Sequence, residues 1–143
     1  MSKYLRLATT VNEVVLNTKQ NTMINELAKQ IHKNAIDKGF FEKEKNIGEM
    51  LCLIHSEVSE ALEADRNDKH CAVSILGVNG WVDNDYFKVA FKNHVKGTFE
   101  EEMADIIIRV LDLCAFLEID IEQFIKCKTR FNSLREKYHG KKY

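Results

Sequence analysis

Two short acidic spacings carry most of the chemistry that this chain's residue types allow. Glu57 and Glu60 stand three apart, and so do Glu102 and Asp105. In an α-helix that separation puts both side chains on one face, a turn apart. Four carboxylates from two such turns make an all-oxygen donor set. It suits a hard divalent cation, Mg²⁺ or Mn²⁺, rather than zinc, because no Cys/His group completes the pattern. Either spacing alone is common on a solvated helix face, but here each sits in apolar company. At about 100° per residue, the arc formed by Leu53, Met50, Ile54, Val58 and Leu62 encloses Glu57 and has Glu60 at its edge. The second segment is apolar at Met103, Ala104, Ile106, Ile107, Ile108, Val110, Leu111, Leu113 and Cys114. Its polar residues fall in one narrow stripe, Glu102, Asp105, Arg109 and Asp112, with Glu101 beside it. Carboxylates buried together repel and lose hydration, and a divalent cation offsets both costs.

Cations gather toward the other end of the chain. From Lys126 to Tyr143 there are seven Lys/Arg and one Glu. Lys128, Asn132 and Arg135 continue the side that Ile121, Phe124 and Ile125 define as inward. Arg forks, Lys point charges and an amide are the groups a polyphosphate needs.

Helices must position all of these residues. Ile24, Leu27, Ala28, Ile31 and Ala35 repeat at helical spacing, from a start near Asn21 or Thr22 to a stop at Lys38-Gly39, where glycine supplies a left-handed residue. Phe40 to Lys45 form a connector. Asn46, with Glu49 three residues on, caps a helix that reaches about Asp68. Thr98 with Glu101 opens another, to about Leu117, and Asp120 with Gln123 opens the last, to about Tyr138. Residues 1–20 form an N-terminal extension whose Leu7, Val11, Val14 and Val15 fit a helix stripe or, around Val14, a strand. Residues 69–97 are an insertion. Gly77 to Gly80 signal a turn, Ala72 to Val78 suit a short strand of a small hairpin, and Asp83 to Val95 suit a short helix. The expectation is one all-α domain over residues 1–143, an antiparallel helical bundle.

Composition excludes several classes. The chain has 143 residues, 45% hydrophobic and 30% charged, which is globular rather than disordered. A net charge of −1 speaks against a dedicated nucleic-acid-coating protein. With no proline, no ring clash interrupts a helix. No apolar run is long enough for a membrane span, and the opening residues lack a signal peptide's apolar core. Cys52, Cys71, Cys114 and Cys127 form no Cys-x-x-Cys pair, and read as reduced, mostly buried thiols of a cytoplasmic protein. A di-iron bundle wants two Glu-x-x-His turns, and only Glu136 with His139 fits.

Four blocks carry a resemblance: Lys38-Gly39-Phe40-Phe41; Leu53 to Glu63, with Glu57 and Glu60; Glu101 to Leu113, with Glu102 and Asp105; and Lys128 to Arg135, followed by His139-Gly140-Lys141-Lys142. Together they resemble the MazG-like all-α nucleoside triphosphate pyrophosphohydrolases, over roughly residues 22–142. The resemblance implies a Mg²⁺-dependent helical bundle, a homodimer or homotetramer, that cuts a (deoxy)nucleoside triphosphate to the monophosphate and pyrophosphate. It implies that Glu57, Glu60, Glu102 and Asp105 hold the metal; the chemistry of hydrolysis then wants one carboxylate, Glu57 or Glu60, to take a proton from the attacking water. Lys128, Asn132 and Arg135 match nucleotide-contacting positions. His32 and Phe41 match base-contacting ones, although Phe41 stands where a tryptophan is frequent. Asp112 would support the metal from a turn further on. Forty-one residues separate Glu60 from Glu102, more than is usual, and Trp81 lies among them. The alternative is a non-catalytic nucleotide-sensing or partner-binding helical bundle.

Overall fold

The computed structural model describes residues 23–72 and 84–136, and every regular element among them is an α-helix. There are five: α1 (Met23–Asp37), α2 (Ile47–Arg66), α3 (Asn84–His94), α4 (Phe99–Phe116) and α5 (Ile121–Ser133). None is long and apolar enough to cross a membrane. The readings of residues 1–20, of a hairpin with Trp81, and of His139 fall outside the described residues.

The predicted caps are present. Asn46 precedes α2 with extended backbone and its side chain accepts from Gly48 N–H; Thr98 accepts from Glu101 N–H, and Asp120 from Gln123 N–H. These bonds satisfy N–H groups that have no partner within the helix. Helix α1 ends as its glycine foretold. Phe40 N–H reaches back to Ala35 O (3.1 Å), and Gly39 takes φ +81°. A side chain there would strain the backbone and set Cβ 2.9 Å from Glu42 Oε1. Gly39→Ala is therefore expected to lower unfolding stability by about 1–2 kcal/mol, read by urea titration. An unchanged midpoint would mean that the turn tolerates another conformation. The same closure recurs without glycine at Asp68 (φ 52°) and Glu118 (φ 54°), where Lys69 N–H bonds Ala64 O and Ile119 N–H bonds Cys114 O.

By packing, the chain divides into two compact units, Ala28–Ile119 and the combination of Met1–Leu27 with Asp120–Tyr143. In the first, α2 lies along α4 as the principal helix pair. Phe99 N–H bonds Lys69 O (2.9 Å), and Arg109 Nε bonds Glu57 (3.0 Å). The number rises on α4 as it falls on α2, so the two run antiparallel. The buried residues of α2 are Met50, Glu57, Ala61 and Ala64; those of α4 are Glu102, Leu111, Leu113 and Cys114. In the second unit the starts of α1 and α5 interlock. Asn25 Nδ2 donates to Asp120 (2.8 Å), Glu122 N–H donates to Asn25 Oδ1, and Ile24 N–H donates to Glu122.

Three expectations need correction. Helix α4 is apolar over most of its circumference, a pattern that predicts burial on most sides, yet Met103, Ile107 and Ile108 are 41%, 55% and 42% exposed, because its principal partner α2 packs along the side that bears the acids. The side of α5 read as inward is open as well. Phe124 and Ile125 are exposed, since its unit grips α5 at the first turn. Helix α5 ends at Ser133, so Arg135 lies beyond it. Of the thiols, Cys71 and Cys114 are buried but Cys52 and Cys127 are exposed; burial pushes the Cys114 thiol up.

Candidate metal centre and adjoining cavity

The carboxylates converge, and they do so as two overlapping groups. Oxygens of Glu57, Glu60 and Glu102 lie within 4.8 Å of one another, as do those of Glu101, Glu102 and Asp105. Glu102 is the shared member. It is 8% exposed, and its carboxylate has no hydrogen bond or ion pair among the described residues. Burial raises its pKa above the ordinary value, helped by Glu101, Glu60, Asp105 and Glu57. Asp105 is raised for the same reasons, against the pull of Arg109. Glu101 came forward as a neighbour of the acidic stripe; here it accepts from Gly97 N–H at 2.6 Å and closes the loop before α4. No ion is needed to fold two exposed acids, but a buried, unpartnered carboxylate among four others calls for positive charge. The all-oxygen donor set suits magnesium or manganese.

The pH dependence follows from these shifts. Glu102 and Asp105 bind protons more tightly when folded than their ordinary 4.5 and 3.8 allow. Their contribution favours the metal-free fold below those values and is lost as pH rises through the raised ones. A magnesium ion held by these oxygens would compete with protons for them. Thermal melts across a pH series should show a magnesium-induced rise in Tm that is largest near neutrality and shrinks toward acid. A pH-independent rise would mean that magnesium acts elsewhere.

His32 and Phe41, named on resemblance, are brought together. Their rings meet edge-on at 4.6 Å, and Phe116 stacks obliquely on Phe41 at 5.5 Å. Asp112 does not back the carboxylates. Its Oδ1 lies 2.7 Å from His32 Nδ1, a contact across 80 residues that the stripe on α4 did not disclose. The contact orients the ring. Beside this pair lies a cavity of about 230 Å³, lined mainly by Ile31, Ala35, Phe40, Phe41, Met50 and Leu53 with polar Asn34, Lys38, Lys45, Arg109 and Asp112. A second cavity of about 190 Å³ lies on the other flank of the acids, between Glu60, Glu63, Glu102 and Lys69. Sequence spacing pointed to neither Lys69 nor the two-sided position of Arg109.

Lys128 and Arg135 belong to the other unit, where both approach the face of Phe131, at 5.2 and 5.8 Å from the ring centre. Asn132 is exposed on the same helix. Comparisons with protein-family models, with curated proteins and with solved structures find no match to this chain.

Proposed function

We propose that this protein is a magnesium-dependent nucleoside triphosphate pyrophosphohydrolase, releasing a nucleoside monophosphate and pyrophosphate. The observation that carries the proposal is Glu102, buried among other acids without a partner among the described residues, at the edge of the 190 Å³ cavity that Glu60 and Lys69 also line. The four-block resemblance to the MazG-like enzymes supplies the reaction.

Glu57, Glu60, Glu102 and Asp105 are the residues that would hold Mg²⁺ or Mn²⁺, whose charge would neutralise phosphate oxygens as the bond to the leaving pyrophosphate breaks. Glu60 is the better placed of the two candidate bases. Glu57 is tied to Arg109, whereas Glu60 is exposed and unpartnered among the described residues, free to take a proton from attacking water. The nucleoside would enter the cavity against Phe41, whose ring meets His32, itself bonded to Asp112 of the cavity lining. A nucleotide-contacting role for Lys128, Asn132 and Arg135 rests on the resemblance alone. A homodimer or homotetramer follows from it as well, as does a bundle with residues 69–97 inserted.

One observation favours a second reading. Leu51, Val58 and Leu62 on α2 form an open apolar stripe, each about half exposed, like Met103 and Ile107 on α4. A non-catalytic partner-binding bundle would use such a surface. Incubating the full chain with a nucleotide panel and Mg²⁺, then separating products, decides between them. Monophosphate with pyrophosphate is the expected result. Diphosphate with phosphate contradicts the reaction class, and no turnover of any nucleotide favours the binding role.

A further inference from the structure

Arg109 faces two ways. Its Nε donates to Glu57 Oε1 at 3.0 Å, where Glu57 is nearly closed off from water. The same side chain, 38% exposed, lines the 230 Å³ cavity. Its two terminal amino groups have no partner among the described residues, so the planar fork that pairs best with phosphate or carboxylate is left open. One bond through Nε is the weaker way for a guanidinium to hold a carboxylate. It leaves Glu57 neutralised but easily released.

We propose that Arg109 is an exchangeable counter-ion: it holds Glu57 while the carboxylates lack a metal, yields Glu57 when a divalent cation binds, and then turns its free fork to an anionic group of the ligand in the adjoining cavity. The inference rests on the metal reading above. Glu57 cannot stay buried and charged alone, so something positive must occupy its oxygens in both states. A divalent cation shared among several carboxylates displaces a singly bonded guanidinium readily. A half-exposed arginine swings at little packing cost. The exchange couples the two sites in both directions: metal frees the fork for the anion, and an anion that draws the fork away clears Glu57 for metal. Arg109 is thus a positioning residue for Glu57.

The test is calorimetric titration of the full chain with Mn²⁺ alone, without nucleotide. Arg109→Gln removes the competing charge and is expected to bind Mn²⁺ at least about fivefold more tightly than the parent, the low end of usual coupling. A variant that was merely damaged would bind more weakly. Should Arg109→Gln fail to fold by circular dichroism, Arg109→Lys carries the same prediction with a smaller gain, because lysine lacks the Nε geometry. Equal or weaker Mn²⁺ binding in the folded variant, with the parent binding normally, overturns the exchange. No Mn²⁺ binding by the parent overturns the metal reading itself.

Discussion

Glu102→Gln is expected to silence turnover and, in the same protein, to stabilise the metal-free fold. The two effects have one cause. Glu102 is the carboxylate that both acidic groups share, so removing its charge would weaken each of them as a candidate metal site. The loss of turnover should be about 10²–10³-fold, as when a group that stabilises developing charge is removed. Yet that carboxylate is 8% exposed, lacks a partner among the described residues, and is surrounded by Glu57, Glu60, Glu101 and Asp105. The amide keeps the shape and drops the repulsion and the desolvation cost of the charge. A gain of about 1 kcal/mol in the metal-free protein is the expected scale. Chemical unfolding in chelator reads the stability, and product analysis in Mg²⁺ reads the activity. A destabilised Glu102→Gln would show that the carboxylate is held by something that the described residues do not include.

Ala61→Leu should have the second large effect, through distance rather than charge. Ala61 and Ala64 are 4% and 5% exposed and lie on the same side of α2 as Glu57. These small side chains let α2 and α4 approach closely enough for carboxylates of the two helices to come within 4.8 Å. A leucine at 61 has no room in a close-packed seam. Overpacking is expected to cost about 1–3 kcal/mol. The helices must part to accept it, and a misplacement near 1 Å at a site of this kind costs about 10²-fold. The expected result is a folded, helical protein whose Mg²⁺-dependent Tm rise is gone. If Ala61→Leu kept the metal response of the parent, the spacing of α2 and α4 would not control the site.

Helix boundaries were the most legible feature. Asn46, Thr98 and Asp120 each cap the helix whose start they mark, and Gly39 closes α1 in the left-handed conformation. Capping is local: one side chain meets an N–H two or three residues away, so the neighbouring residues suffice to specify it. The acids were legible for a related reason. Spacing of three places Glu57 with Glu60 and Glu102 with Asp105 on common helix faces, whatever those faces meet. Outward faces were not legible. The apolar surroundings of α4 promised burial on most sides, yet Ile107 is 55% exposed, because periodicity shows which residues cluster and not how many neighbours arrive to cover them.

By itself, then, the amino-acid sequence determined the helices among the described residues and the acids in two matched turns, since helical periodicity and end caps act within a few residues. Only the tertiary structure decided the partners. It set Asp112 on His32 across 80 residues and Arg109 on Glu57 across 52, left Glu102 buried with no partner of its own among the described residues, and opened cavities on both sides of the acids. Contacts between distant segments depend on how α2 and α4 are brought alongside each other, and the short-range rules of a helix carry no information about that.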